Sequence, residues 1–137
     1  MAEAYFFLGL LYDPAIDDPT IAPEPDLQQA LSAYSSALDL DDTLHSARLN
    51  RALGYVADGQ LEKALGDYAQ LIDEQTPLAA SAAVNRAWLQ IDNRAAAEQD
   101  FALAIELDAL EGYWQRGNAR LYAWGDAEGA VADFGEA

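Results

Sequence analysis

The chain has 137 residues and a net charge of −17, with 24 acidic residues against seven lysines and arginines and no cysteine. This charge opposes binding to a nucleic-acid backbone, which requires clustered basic side chains, and the lack of cysteine excludes disulfides and thiolate chemistry. No apolar run approaches the roughly 18 residues of a membrane-spanning helix. We therefore expect no nucleic-acid partner and no membrane span.

The first predicted element is an apolar helix at residues 4–12, the first helix of a repeat that begins near residue 2. Residues 4–12 lack a basic segment in front of them, so we interpret them as a structural helix rather than a signal peptide and expect a cytoplasmic protein. Four of the five prolines follow within 13–26. No continuous helix tolerates that density of proline, so this stretch is predicted to be an insertion between two helices.

A second helix should begin after Asp26, because Asp26 and Gln29 have the spacing of an N-terminal capping box. Asp126 lies where a cap is needed before the last helix. From the second helix onward one pattern returns every 33 or 34 positions: a small residue, an aromatic residue four positions later, and a small or apolar residue three further on. The copies are Ala30, Tyr34 and Ala37; Ala64, Tyr68 and Leu71; Ala97, Phe101 and Ala104; Ala130, Phe134 and Ala137. Four copies in register indicate a repeat array.

The residues ahead of each copy extend the pattern. They are Leu8-Gly9 and Tyr12 in repeat one, Asn50-Arg51-Ala52-Leu53-Gly54-Tyr55 in repeat two, Asn85-Arg86-Ala87 in repeat three, and Tyr113-Trp114-Gln115-Arg116-Gly117 in repeat four. Pro77 closes the second repeat. This arrangement resembles the tetratricopeptide repeat (TPR) family, whose units of about 34 residues carry an aromatic residue, Leu-Gly, Tyr, Ala, an aromatic residue, Ala and Pro.

The resemblance implies an all-α fold, namely a right-handed α-solenoid of antiparallel helix hairpins. About four TPR-like repeats are expected, of which the last is incomplete. A single array over 1–137 would comprise repeats at approximately 2–42, 45–77, 80–109 and 110–137, with the proline-rich insertion at 13–26 inside the first. Small residues on the first helices (Gly9, Ala52, Ala87 and Gly117) would let the two helices of each hairpin approach closely.

Three repeats carry an arginine on the first helix and an aspartate just before the second-helix aromatic residue. The pairs are Arg51 with Asp67, Arg86 with Asp100, and Arg116 with Asp133. Repeat one has Leu8 and Ala33 at these positions, so the two partners are present together or absent together. We interpret them as ion pairs within each hairpin, with a structural role rather than a ligand-binding one.

Catalytic and metal-binding chemistry has little support in the sequence. His45 is the only histidine, so a His-based triad would have to be built on one residue. Asp13, Asp17 and Asp18 lie among prolines and suggest a calcium loop. The glycine and the closing glutamate of an EF-hand are missing, which favours loop solvation instead. We expect a non-catalytic protein with no cofactor and no metal.

In TPR proteins the first helix of each repeat lines a concave groove, so the resemblance implies the position of a ligand site. The candidate peptide-binding residues on these helices are Asn50, Leu53, Asn85, Trp88, Trp114, Gln115 and Asn118. Three amides, from Asn50, Asn85 and Gln115, recur at one equivalent repeat position. An amide both donates and accepts, which suits the backbone of an extended peptide, while aromatic rings offer pockets for its side chains.

Two further aromatic residues, Phe6 and Phe7, are candidates for either the groove or the core. Chaperone-binding TPR proteins grip a C-terminal carboxylate with lysines and asparagines on the first helices. The corresponding basic positions are Phe6, Ser81 and Asn85 here, so that clamp is absent and its partners are not expected.

Three functions fit the pattern. The favoured one is a protein–protein interaction scaffold that binds a peptide or protein segment in its concave groove. The alternative is a self-assembly module that forms homo-oligomers through its terminal repeats, and the third is a regulatory appendage of an enzyme. The acidity marks either a basic partner or a protein from a saline cytoplasm, and we favour the latter because the acidic residues are spread along the chain.

Overall fold

The computed structural model describes residues 1–16 and 24–137, and all regular secondary structure within them is helical, which confirms the all-α prediction. The α-helices of the described residues are α1 (Ala2–Tyr12), α2 (Leu27–Leu40), α3 (His45–Ala57), α4 (Leu61–Asp73), α5 (Ala79–Leu89), α6 (Arg94–Leu107), α7 (Ala109–Asn118) and α8 (Ala127–Glu136), with a π-helical segment at Ala119–Ala123. Half of the predicted proline-rich insertion, residues 17–23, lies outside the described residues.

Two compact units divide the chain, at Met1–Leu71 and Ile72–Ala137. The first unit contains α1 to α3 and most of α4, and the second contains α5 to α8. Apart from residues 13–26 between α1 and α2, the connections between consecutive helices of one unit are short, such as Asp58–Gln60 and Gln90–Asn93. Because these connections are short, paired helices must reverse direction, as neighbours in helical bundles do.

Both predicted N-terminal caps are present. The Asp26 side chain accepts hydrogen bonds from the backbone N–H groups of Gln28 and Gln29, at 3.0 and 3.1 Å. The Gln29 side chain donates back to Asp26 at 3.0 Å, and these bonds, led by that one, hold the pKa of Asp26 below its usual value. Asp126 accepts from the Gly129 N–H at 2.9 Å at the start of α8. These bonds satisfy backbone donors that a helix start leaves unpaired.

The core of the first unit forms around the aromatic ring of α2. Tyr34 is fully buried with Ala30, Ala37, Leu38 and Ala47, and the Gly9 backbone of α1 lies so close to the Tyr34 ring that a Cβ at Gly9 would overlap it. Phe6 packs against this cluster, whereas the Phe7 side chain is 62% exposed. Of these two residues, the structure therefore places Phe6 against the core and Phe7 outside it.

The second unit repeats this arrangement. Its core contains the fully buried Phe101 with Ala87, Ala97 and Ala119. At the end of the chain, the ring of Phe134 on α8 faces Gly117 on α7. Small residues at the predicted first-helix positions thus make room for the ring of the second helix, which confirms the packing role read from the repeat.

The sequence did not predict the π-helical segment that follows α7. The backbone N–H of Trp124 donates to the carbonyl of Ala119, five residues back, at 3.1 Å. Asp126 then caps α8. Ala119 is buried in the core, and Arg120 is placed to donate to Asp133 on α8 at 2.9 Å. A single wider turn of this kind shifts the helix register locally and so changes which side chains face the neighbouring helix.

The close approach of α7 and α8 generates a stability prediction. A Cβ at Gly117 would lie 2.5 Å from Cε1 of Phe134, so Gly117→Ala should displace the ring and destabilise the second unit by about 1–3 kcal/mol. Gly66 lies in the interior of α4 with open space around it, so Gly66→Ala should be neutral or stabilising by up to about 1 kcal/mol. Urea unfolding followed by circular dichroism measures both. Equal effects of the two substitutions would show that Gly117 is not a packing requirement.

Candidate functional site

In the second unit, the first helices of two consecutive hairpins are joined by side chains predicted to bind a ligand. Trp88 on α5 donates a hydrogen bond from its indole Nε1 to Oε1 of Gln115 on α7, at 2.9 Å. Asn85 precedes Trp88 by three residues and Asn118 follows Gln115 by three, so each pair shares one face of its helix. We call the surface formed by Asn85, Trp88, Trp114, Gln115 and Asn118 the α5–α7 surface.

The Gln115 amide is oriented by bonds at both ends. Its oxygen accepts from Trp88, and its Nε2 donates to Glu111 one turn earlier on α7, at 2.8 Å. A primary amide has two donor hydrogens and two acceptor lone pairs, so one of each remains for a ligand. Gln115 is therefore held in a defined orientation rather than free to rotate.

The two asparagines of the α5–α7 surface differ from Gln115. Asn85 and Asn118 are half-buried, and neither side chain hydrogen-bonds to another residue in the part of the chain that the structure describes. Both amides thus retain their full donor and acceptor capacity at the surface. In an extended peptide, the backbone N–H and C=O groups require this combination of donors and acceptors.

The two tryptophans have different environments. Trp114 is 51% exposed, and one side of its ring packs against Phe134 on α8, with ring centroids 5.2 Å apart. Trp88 is partly buried and meets the Phe101 ring edge to face at 5.9 Å. The sequence suggested both rings as ligand pockets. The structure leaves Trp114 open on one side, whereas Trp88 is a core residue that contributes its N–H to the surface.

The remaining candidate residues, Asn50 and Leu53, lie on α3 in the first unit. Leu53 is 40% exposed, and Asn50 is half-buried and lies near the Tyr34 hydroxyl. That hydroxyl donates to the carboxylate of Asp13 at 2.6 Å. Burial, and secondly Asp13, raise the pKa of Tyr34 well above its usual value, so the hydroxyl stays protonated as the donor of this network. Asn50 is thus close to the buried Tyr34–Asp13 network.

The predicted arginine–aspartate pairs are confirmed in all three hairpins. Each arginine donates from Nε and Nη2 to both carboxylate oxygens, at 2.9 and 2.7 Å for Arg51 with Asp67, 2.9 and 2.6 Å for Arg86 with Asp100, and 3.0 and 2.7 Å for Arg116 with Asp133. The aspartates are buried, and their hydrogen bonds raise the pKa of each arginine. The guanidinium groups therefore join helices and do not extend towards a ligand.

Each of these aspartates also has a second partner, which the sequence reasoning missed. Asp67 lies 3.6 Å from Nη1 of Arg48, and Asp133 accepts from Arg120 at 2.9 Å. Asp100 accepts from Nε2 of Gln90 at 3.3 Å. The missed signal was helical spacing, because each second partner lies three or four residues from the paired arginine and hence on the same side of its helix.

The described residues contain no group of three or more His, Cys, Asp and Glu side chains that could hold a metal ion. Asp13, one of the three aspartates weighed as a calcium loop, is instead bonded to Tyr34 and to the Ala15 N–H. The other two, Asp17 and Asp18, lie outside the described residues. His45 is half-buried at the start of α3. Over the ranges 1–16 and 24–137, no helix is both long and apolar enough to cross a membrane.

Neither a protein-family model nor a curated protein sequence matches this chain. The TPR resemblance therefore rests on the repeat residues themselves.

The buried pairs generate a second stability prediction. Asp100→Asn leaves the Arg86 guanidinium without its carboxylate in a largely buried site, which should cost about 3 kcal/mol. Glu98→Gln removes an exposed partner of Arg94 on α6 and should cost at most about 0.5 kcal/mol. The free energy of unfolding of both variants, measured with urea, compares the loss of a buried and of an exposed carboxylate at two positions of α6. A similar small loss for both would contradict the structural role of the Arg86–Asp100 pair.

Proposed function

We propose that the chain is a non-catalytic protein–protein interaction scaffold, a TPR-like solenoid that binds a peptide segment along its first helices. The observation that carries the proposal is the α5–α7 surface, which combines the two unbonded amides of Asn85 and Asn118 with the half-exposed ring of Trp114. In the first unit, Asn50 and Leu53 of α3 are the corresponding candidates, because they occupy the same repeat positions as Asn85 and Trp88 of α5. The three amides from Asn50, Asn85 and Gln115 thus share one repeat position, and each can both donate to and accept from a peptide backbone.

The physical basis of the proposal is complementarity between an extended peptide and this set of groups. A peptide strand presents alternating N–H and C=O groups that must be paired when water is removed. Asn85 and Asn118 can pair them, and the oriented Gln115 can add one donor and one acceptor. The open side of the Trp114 ring offers apolar area and an aromatic edge for a ligand side chain, and Trp is frequent among the residues that dominate binding energy.

The proposal predicts a loss of affinity without a loss of stability in Asn85→Ala. One or two hydrogen bonds to the peptide backbone disappear, each worth about 0.5–1.5 kcal/mol, so affinity should fall by about threefold to a hundredfold. The melting temperature should barely change, because the Asn85 side chain is bonded to no described residue. Calorimetric titration against peptides selected from a random display library on the wild-type protein measures the affinity.

The matched control is Gln99→Ala, which removes an exposed amide from the second helix α6 in the same unit. It should bind as the wild type does. Unchanged affinity of Asn85→Ala, or a loss explained by unfolding, would place the ligand site elsewhere.

A second function is supported by α1. This helix carries one charged residue, Glu3, and is apolar on all sides, although only one side packs on α2. Helices that are apolar all round are usually buried. Phe7 and Leu8 are exposed, and a shallow pocket of about 160 Å³ between α1 and α2 has Leu8 and Ala33 among its lining residues.

Leu8 and Ala33 occupy the positions that an arginine and an aspartate hold in the other hairpins, so this face lacks the charges found there. We propose a second copy of the chain as its occupant. Two copies with a net charge of −17 repel each other over most of their surfaces. The α1–α2 face, the surface around Leu8 and Ala33, has no charged residue among the described residues that line its pocket, so this repulsion opposes the burial of apolar groups least at that face.

Self-association through this face predicts a concentration-dependent sedimentation coefficient. Leu8→Arg combined with Ala33→Asp introduces the ion pair of the other hairpins, which should abolish association while preserving the fold. Leu110→Arg changes an exposed leucine in the second unit and should leave association intact. A wild-type chain that stays monomeric at all concentrations, or a double variant that still associates, would exclude this face as the interface.

A further inference from the structure

The acidic residues are unevenly distributed among the helices. Of the 24 acidic residues, only Glu3 and Glu111 lie on α1, α3, α5 and α7, the first helices of the hairpins, which are 10 to 13 residues long. The others lie on the second helices and in the connecting segments. The acidic residues are therefore spread along the sequence but nearly absent from the helices proposed to bind a ligand.

The two arginine charges on α5 and α7 are neutralised within the unit, whereas Glu111 keeps its negative charge. These two helices carry Arg86, Arg116 and Glu111. Each arginine is paired through two hydrogen bonds with a buried aspartate of the following helix. Glu111 accepts from the Gln115 amide on its own helix. The polar groups that remain unbonded on the α5–α7 surface, the side chains of Asn85 and Asn118, are uncharged.

We propose that the α5–α7 surface binds a peptide segment whose contacting residues are uncharged, with apolar or aromatic side chains against Trp114 and backbone or amide groups against Asn85 and Asn118. This inference rests on the proposed function and names the chemistry of its ligand. A basic segment needs unpaired carboxylates and an acidic one needs unpaired guanidinium groups, and this surface supplies neither except Glu111. A charged side chain brought here would lose hydration without gaining a partner of opposite sign.

The acidity of the chain then has a role separate from recognition. Apart from the buried aspartates that pair with arginines, most of its carboxylates lie on the second helices and in the connecting segments, where they keep the protein soluble and repel acidic molecules at long range. Binding through hydrogen bonds and apolar contact should depend little on ionic strength, whereas binding of a basic segment would weaken strongly as salt increases.

The test selects peptides from a random display library on the full wild-type chain and synthesises the enriched sequences. Each peptide is titrated against the wild type, against Asn85→Ala combined with Asn118→Ala, and against Gln99→Ala as the control. Two substituted versions of each peptide carry lysine or glutamate at a central position. All titrations are repeated from about 0.1 M to 1 M salt, which shortens the Debye length from about 10 Å to about 3 Å.

The inference expects enriched peptides that are uncharged at their centre and that bind the double variant at least tenfold more weakly. Lysine and glutamate versions should both lose affinity by about tenfold or more, and salt should change Kd by less than about threefold. Peptides that are rich in lysine and arginine, lose affinity in salt and still depend on Asn85 and Asn118 would overturn the inference and leave the proposed function in place. Peptides that bind the double variant as tightly as the wild type, or a library that yields no binding peptide, would overturn both the inference and the proposed function.

Discussion

The bidentate ion pair between an arginine of the first helix and an aspartate of the second is the interaction on which three of the hairpins depend. A buried carboxylate is costly unless a charged partner and further hydrogen bonds compensate for lost hydration. Arg51, Arg86 and Arg116 meet this requirement with a planar fork that matches both carboxylate oxygens, a geometry that lysine cannot provide. A second contact then supplements each pair: an ion pair from Arg48 to Asp67, and hydrogen bonds from Gln90 to Asp100 and from Arg120 to Asp133.

The pairing also determines what the first helices offer to a partner. Because the arginines are directed into the hairpins, the surface of α5 and α7 retains amides and one open tryptophan ring. In the first hairpin, Leu8 and Ala33 replace the pair and leave an apolar face instead. The presence or absence of one ion pair thus separates a surface suited to polar, uncharged recognition from one suited to apolar burial. The two proposed interactions use different helices, so one does not require the loss of the other.

Much of the local structure could be predicted because the same position recurs in several repeats, so its residues can be compared between them. The three pairs were found because their partners appear and disappear together, and the Asp26 and Asp126 caps follow from spacing near helix starts. The π-helical segment at Ala119–Ala123 was missed because it is specific to one repeat. Its register shift arises from packing of Ala119 in the core and from Arg120 reaching Asp133, neither of which a single sequence displays.

The helices that carry the candidate site residues were predictable, but the contacts of those residues were not. Repeat spacing placed Asn85, Trp88 and Gln115 on first helices, yet did not indicate that the Trp88 ring is buried against Phe101 while its N–H orients Gln115. By itself the sequence determined the helical period, the small residues opposite aromatic rings and the charge pairing, because these depend on residues at fixed separations along the chain. Only the tertiary structure decided which amides stay unbonded and which ring stays open, because those outcomes depend on side chains from helices far apart in sequence competing for the same partners.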